Sequence, residues 1–325
     1  MSYVVTGGSG FIGSHVIDAL TNAGHTVTNL DIREAETSAH RYVKADIRDL
    51  KVLTDIFSHH GRDGVFHIAA IADAREALLD PIKTMEVNIT GTACVLEAAR
   101  RAQVARVILA STVWYYNAAN HTHDPERSAK GEVRYLDENE PISPQGGGHI
   151  YTTSKIASEV LCHDFQRLYG LDFTILRYGI PYGPKMWPGL VLRSFLECAS
   201  SGMPIRIFGD GSAVRRFLYV EDLAKAHVLA LKEVARNQIY NLEGERDVTV
   251  KELAETLAKF VPNLKVEHVV DVSRRGELKL QSVAISNKKA WRELGWSPTT
   301  ELEEGVRRVV EWWHKKETMD VTCTK

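Results

Sequence analysis

The sequence predicts an α/β protein, a doubly wound parallel sheet with a smaller, interleaved C-terminal lobe. Three observations carry that prediction. Short apolar runs alternate with amphipathic stretches through the first half of the chain, the order expected of parallel strands joined by crossover helices. The first run, Tyr3-Val4-Val5, feeds a turn containing Gly7, Gly10 and Gly13, then a helix with Val16, Ile17 and Leu20 at helical spacing. A second apolar run, Thr26 to Leu30, ends on Asp31, 18 residues beyond Gly13.

Each glycine of the turn has its own task. Gly7 permits the tight bend, Gly10 lets the backbone approach a pyrophosphate with no Cβ in the way, and Gly13 lets the helix lie close to the strand. The N–H groups at the helix start then face phosphate oxygens, with the helix dipole favouring negative charge. A glycine triplet alone says little. With a strand before it, a helix after it and an acidic residue closing the next strand, it is a dinucleotide fingerprint. Asp31 can accept hydrogen bonds from an adenosine ribose 2′-hydroxyl while its charge repels a 2′-phosphate, which favours NAD over NADP. Arg33 works against that choice, because an arginine there could welcome the phosphate.

At 325 residues the chain has room for one large domain or two intimate ones. Its charges nearly cancel, at a formal net of -2, so nothing argues for nucleic acid or an anionic membrane as partner. Cys94, Cys162, Cys198 and Cys323 are scattered without metal-ligand spacing and read as small core residues of a reducing compartment. No apolar run reaches transmembrane length, and the sequence opens on a strand rather than a signal peptide; the expected location is the cytosol.

After Asp31 come a loop to His40, a strand Arg41 to Ala45, then Asp46-Ile47 and a helix Leu50 to Ser58, for which Asp46 is a candidate N-cap. Gly64 to Ala70 reads as a buried strand whose small last residues leave room for a cofactor across the strand ends. His67 within it reads as a packed strand residue. Met85 to Ala102 forms a long helix, and the strand Arg106 to Ala110 delivers Ser111-Thr112. From Asn117 to His149 the alternation stops. This polar run holds His121, His123 and Asp124 and closes on Pro144-Gln-Gly-Gly-Gly148. No further ligand follows at useful spacing, so it reads as a flap over the active site, not a metal site.

Tyr151-Thr-Thr-Ser-Lys155 then opens a helix that runs to Tyr169. Residues at i and i+4 share a helix face, so the ammonium can sit near the phenol. That charge, with the positive nicotinamide of NAD⁺, favours the phenolate of a group that ordinarily titrates near 10. A tyrosinate near neutral pH is a fitting general base for a sugar hydroxyl as hydride leaves its carbon, and Thr112 can hydrogen-bond the same oxygen.

Thr6 to Gly13, His67-Ile-Ala-Ala70, Ser111-Thr112, Tyr151 to Lys155, Leu176-Arg177-Tyr178 and Tyr182-Gly183-Pro184 follow one another as in the extended short-chain dehydrogenase/reductase family. From Tyr3 to about Glu311 the chain resembles its NAD-dependent nucleotide-sugar epimerases, of the UDP-glucose (UDP-galactose) 4-epimerase type. The resemblance implies a Rossmann fold, NAD as cofactor, and interconversion of UDP-glucose and UDP-galactose by transient C4 oxidation and return of the hydride. It implies Tyr151 as the base, Lys155 as the partner that also holds the nicotinamide ribose, and Thr112 as the assisting hydroxyl. Gly7, Gly10, Phe11, Ile12 and Gly13 match the pyrophosphate turn; Asp31, Ile32 and Arg33 match the adenosine-ribose positions, and Asp46 and Ile47 the adenine pocket. Ala69, Ala70, Ile71 and Asn88 match the wall behind the nicotinamide, and Ser111, Tyr178 and Pro181 are further cofactor positions. For the substrate the matches are Thr112, Val191, Phe208 near the base, and Arg215 and Arg274 at the diphosphate. Family members pair the two long helices into a four-helix bundle, so a homodimer is implied.

The departures narrow the chemistry. Sugar-nucleotide 4,6-dehydratases of the family follow the assisting Thr with Asp and Glu, and UDP-glucuronate decarboxylases place a Glu two residues on. Here the sequence is Thr112-Val113-Trp114. Elimination needs an acid to expel hydroxide, so epimerisation is expected; dehydration, or epimerisation or decarboxylation of UDP-glucuronate, is the enzymatic alternative. An NAD-sensing binding protein is the non-enzymatic one. Ile180 stands where the family has an Asn that contacts substrate, and Trp187 where glucuronate epimerases carry an Arg for the carboxylate. Val283 sits where a side chain faces the sugar, and its modest bulk leaves an N-acetyl group at C2 open.

In the second half a helix Leu192 to Ser201, a strand Ile205 to Phe208 and a turn Gly209-Asp-Gly211 precede Arg215. A helix Val220 to Glu233 and a strand Gln238 to Leu242 return to the first lobe. Val306, Val309, Val310 and Trp313 share the core face of a last helix, Leu302 to His314. The expected division is residues 1–180 with 214–242 for NAD, 181–213 with 243–316 for the nucleotide sugar, and a frayed tail 317–325.

Overall fold

A computed structural model describes residues 1–34, 40–118, 134–142, 147–270 and 283–323. Seven strands form one parallel sheet. Across it they run Arg41–Lys44, Thr26–Asp31, Ser2–Thr6, Gly64–His67, Val107–Thr112, Phe173–Tyr178 and Gln238–Leu242. In chain order that is 3-2-1-4-5-6-7, so the direction of winding reverses between the first strand and the fourth. A crevice opens at such a reversal, outside the carboxyl ends of the strands.

The apolar runs are continuous because both faces of the sheet are covered. Successive residues point to opposite faces. Val5, Phe66, Ile108 and Leu176 pack with Val16, Ile17, Leu20 and Leu223 from the helices Phe11–Asn22 and Val220–Leu229. Val4, Val65, Leu109 and Ile175 pack on the other face with Leu53, Leu96 and Cys162. A third cluster gathers Met186, Phe195, Ile207, Leu253, Val306, Val309 and Trp313 from the second half of the chain, and Phe11 reaches into it from the glycine turn.

Several elements differ from the sequence reading. The helix expected from Met85 begins at Pro81, where Asp80 caps it by accepting the Lys83 N–H at 3.0 Å. It contains one wide π-helical turn, Glu86–Thr90, before Gly91–Arg101. Asp49, not Asp46, caps the helix Leu50–His60, accepting the Val52 N–H at 3.0 Å. Ser111 and Thr112 complete their strand and pair with Arg177 and Tyr178. The polar run after Asn117 contains a short strand, Arg134–Leu136, parallel to Val283–Ile285, and Leu136 is fully buried. Three residues are too few to show a period. Residues 119–133 and 143–146 of the expected flap, with His121, His123 and Asp124, lie outside the described residues, as does Arg274. The last helix runs from Leu302 to Cys323, so the expected tail is helical over most of its length. Among the described residues no cluster of His, Cys, Asp or Glu could hold a metal ion, and no helix is long and apolar enough to cross a membrane.

Glu243, directly after the last sheet strand, is a buried carboxyl. One of its oxygens occupies the space a side chain at Gly179 would need, 2.3 Å from an ideal Cβ there, and accepts the Gly244 N–H at 3.1 Å. Burial pushes this carboxyl up to about 8; the Gly244 N–H and Arg216 oppose the rise and Asp247 adds to it. In the unfolded chain it titrates near 4.5. Between these values the folded state holds a proton that the unfolded state has lost, so its contribution to stability falls as pH rises from about 4.5 to about 8.

Two predictions follow from this packing. Glu243→Gln keeps the shape without the titration, so its stability relative to the parent should rise across that pH window, by on the order of a few kcal/mol at the top; denaturant melts at pH 5 and pH 8.5 measure it, and parallel pH dependence would refute the burial argument. At Gly13 a Cβ would lie 2.1 Å from the Gly7 carbonyl oxygen, so Gly13→Ala should cost roughly 1–3 kcal/mol or more of stability. It should also lose NAD on purification.

Candidate active site

The glycine turn sits at the start of the crevice. Gly7 has φ +73°, and a Cβ there would be 2.7 Å from the Ala69 nitrogen. Ala69 donates its N–H to the Thr6 carbonyl at 3.0 Å, so the turn and the Ala69-Ala70-Ile71 wall are tied together. Gly10 has a different surrounding. The nearest atoms to a Cβ on it are the Gly7 oxygen at 3.1 Å and the exposed Arg33 side chain at 3.8 Å, leaving a bare backbone face. No side chain caps the helix that Gly10 opens, and its first turn has no acidic residue. The N–H groups of that turn are therefore suited to a phosphate. Gly8 was not singled out in the sequence, yet a Cβ on it would meet Asn29 at 2.3 Å and Ile17 at 2.6 Å.

Asp31 ends the second strand nearly buried and binds the turn. Its carboxylate accepts the Ser9 N–H at 3.1 Å and the Arg33 N–H at 2.9 Å. The Arg33 side chain is 72% exposed and only reaches 4.0 Å from that carboxylate, and Ile32 is exposed. Asp46 is engaged by Arg48 through 2.7–3.2 Å hydrogen bonds, which hold its carboxyl below the usual range. Ile47 is buried against Gly91. Phe11 packs edge-on to Trp187, 5.5 Å between rings, and Ile12 lies half-buried between two core clusters.

Asn88 is wholly buried and does a different job from lining a pocket. From the π-helical turn its amide pairs with both backbone groups of Ile71, accepting the N–H at 2.8 Å and donating to the carbonyl at 3.0 Å. The same nitrogen donates to Ser154 at 2.9 Å, which donates to the Tyr151 carbonyl at 2.7 Å. His67 is buried between Thr6 and Thr92, 2.9 Å from each hydroxyl. Burial, and then the Lys155 charge, push it down to about 3; it is a neutral bridge.

Thr112 and Tyr151 meet across the strand end. The Trp114 N–H donates to Thr112 Oγ1 at 3.1 Å, which leaves the Thr112 proton free for the phenol oxygen. Burial pushes Tyr151 up to about 12, and the Thr112 hydrogen bond is what opposes it. The expected help from Lys155 is missing. Its ammonium donates to the Ala110 carbonyl at 2.9 Å, and burial brings it down to about 8 against the pull of Glu159 and Cys162. The shared helix face was correctly read, but the four-carbon stem carries the charge to the sheet. Trp114 stands edge-on to the Tyr151 ring at 6.2 Å and to His149 at 6.3 Å, and Val113 is buried.

Two expected cofactor contacts are committed elsewhere. The Ser111 hydroxyl donates to Glu159 at 2.5 Å, and the Tyr178 hydroxyl donates to His227 Nε2 at 2.5 Å, whose Nδ1 faces the Leu223 carbonyl at 2.9 Å. Pro181 lies in a short strand beside Leu218. On the opposite side Val191 starts a helix half-buried, Phe208 is 40% exposed, and Arg215 donates to the Val214 carbonyl at 2.8 Å. No carboxylate among the described residues pairs with Arg215, whereas Arg216 is bound to Asp247 at 2.6 Å. The buried Arg177–Glu159 pair was not anticipated; Glu159 at i+4 from Lys155 was the available signal.

Residues 3–242 match the NAD dependent epimerase/dehydratase family. The chain is 31% identical over 330 residues to the UDP-glucose 4-epimerase of Mycolicibacterium smegmatis, covering 97% of this chain and 99% of that one. It is also 30% identical over 345 residues to the dTDP-glucose 4,6-dehydratase of Salmonella typhimurium, at 96% and 92% coverage. The solved UDP-glucose 4-epimerase of Thermotoga maritima with UDP-glucose superposes with a TM-score of 0.84 at 30% identity, over 98% of this chain and 100% of that one. With the family model matched over most of its length and relatives above 30% identity covered almost end to end, the chain belongs to the NAD dependent epimerase/dehydratase family.

Proposed function

We propose that this enzyme epimerises a nucleotide sugar at C4, with UDP-glucose and UDP-galactose as the substrate pair. Relatives at similar identity include both epimerases and dehydratases, so overall likeness does not choose between them. One observation carries the choice. The two residues after Thr112 are a buried valine and a tryptophan lying against Tyr151, and neither can donate the proton that expulsion of a hydroxyl requires.

Gly7 to Gly13 would hold the pyrophosphate of NAD, Asp31 the adenosine ribose, and Lys155 and the Ala69–Ile71 wall the nicotinamide end. When bound, NAD supplies a hydride acceptor that can give the same hydrogen back. Tyr151 takes the C4 hydroxyl proton and returns it after the sugar has turned over. Thr112, with its own oxygen occupied by the Trp114 N–H, donates to the phenolate and stabilises it. Arg215, unpaired by any described carboxylate, suits the diphosphate of the substrate through bidentate contacts. Neither Ile180 nor Trp187 carries a charge that could pair with a carboxylate, which favours a neutral hexose over a hexuronate.

The protein is proposed to act in the cytosol as a homodimer. Its two long helices leave Ile82, Val160, Leu168 and Tyr169 exposed, an apolar surface suited to a second copy.

Tyr151→Phe removes the proton acceptor and keeps the ring. It should lower UDP-glucose turnover at least a hundredfold while NAD stays bound, assayed by formation of UDP-galactose. Mass spectrometry of the parent reaction should show product and substrate of equal mass. A product lighter by one water would replace epimerisation with dehydration as the reaction.

A further inference from the structure

Glu159 has no place in the chemistry above, yet it touches every element that carries a reactive group. It lies two turns beyond Tyr151 and one turn beyond Lys155 on the helix Ile150–Tyr169, and is 3% exposed. Its carboxylate accepts Arg177 N–H groups at 2.7 and 3.0 Å and the Ser111 hydroxyl at 2.5 Å. Ser111 immediately precedes Thr112, and Arg177 immediately precedes Tyr178 on the neighbouring strand. The other partners of Arg177 are the Tyr116 hydroxyl, 3.1 Å away, and the face of the Tyr115 ring, 3.4 Å from the guanidinium carbon.

Arg177 is thus bound to the Glu159 carboxylate, while the buried Lys155 lies one turn before Glu159 on the same helix face and feels its charge. The groups facing Lys155 are Glu159 and Cys162 from its own helix, neutral His67 from the fourth strand and the Ala110 carbonyl from the fifth. Glu159 is the carboxylate among these. We infer that Glu159 is a positioning residue of the reaction: it sets the register of the Tyr151 helix on the Thr112 strand and is the counter-charge of the Lys155 ammonium. The inference rests on the reading of Tyr151 and Lys155 as base and partner. A purely structural ion pair would serve Arg177 alone. A positioning carboxylate also governs how strongly Lys155 keeps its proton, because removing a nearby opposite charge disfavours the charged form.

The test follows Lys155 directly, in NAD-loaded protein labelled with [ε-13C]lysine, its signal assigned with Lys155→Arg. Glu159→Gln leaves Arg177 buried without its anion, a change that can prevent folding. Glu159→Gln/Arg177→Gln removes both charges and restores neutrality, so it keeps the question open to measurement. In every folded variant lacking Glu159, the Lys155 titration should move down by about one pH unit or more. The alkaline limb of UDP-glucose turnover should move down with it. A Lys155 midpoint unchanged from the parent in the double variant would overturn the inference. Absence of epimerase activity in the parent would instead sink the functional reading, and the Lys155 titration would still decide the role of Glu159.

Discussion

The geometry at the crevice depends on a charge pair that solvent does not reach. Arg177 and Glu159 are almost wholly buried, and leaving either without the other would strand an ion in a low-dielectric interior at a cost of several kcal/mol. Strand and helix can therefore dock stably in one register only, the one that brings guanidinium to carboxylate. Because Ser111 pairs with Arg177 and Thr112 with Tyr178, that register fixes the strand end as well. Tyr151, two turns back along the helix, then arrives at Thr112. A second polar line, from Asn88 through Ser154 to the Tyr151 carbonyl, secures the helix start against the Ile71 wall. The two networks hold the helix at both ends of its functional stretch.

The electrostatics of the phenol follow from the same packing. A half-buried tyrosine in this crevice loses part of its water, and that burial makes it a weaker acid. The correction supplied by the chain is a single hydrogen bond from Thr112. Lys155, the residue expected to do this work, spends its closest contact on the Ala110 carbonyl and is itself made easier to deprotonate by burial. Acidification of Tyr151 is thus distributed. Part comes from Thr112, and on the proposed reaction the rest comes from the positive nicotinamide. A base assembled that way is strongest as a proton acceptor only when all its parts are in place, which ties proton transfer to a loaded site.

The sheet, the turn glycines and the common face of Tyr151 and Lys155 were legible in the sequence because each rests on local order: a strand, a bend with no side chain, a four-residue spacing. What was not legible depends on reach and on distant partners. The spacing of Tyr151 and Lys155 shows that they share a face, but not where a flexible stem ends. Asn88 could be placed near the cofactor wall by resemblance, but not recognised as a clamp on Ile71, because the π-helical turn that aims it leaves no mark on periodicity. Asp46 and Asp49 are both plausible caps before Leu50, and only the backbone decides for Asp49. Ser111 and Tyr178 sit at positions that suggest cofactor contact, yet their hydroxyls are taken by Glu159 and His227, partners far away in the chain.

The apolar residues around Tyr151 have a chemical meaning on the proposed reaction. A sugar oxidised at C4 carries an acidified hydrogen at C5, next to the new carbonyl. A carboxylate at the mouth of the site could remove that proton, and a carboxylic acid could then help the C6 hydroxyl leave. Val113 and Trp114 supply neither group, and the Trp114 indole stands edge-on to the Tyr151 ring. The oxidised sugar then has one productive exit, which is to rotate and take its hydrogen back. Selectivity against elimination would in this way come from what is missing beside Thr112 as much as from the base itself. The same tryptophan, through its backbone N–H, also orients the threonine that serves that base, so exclusion and activation are built into one residue.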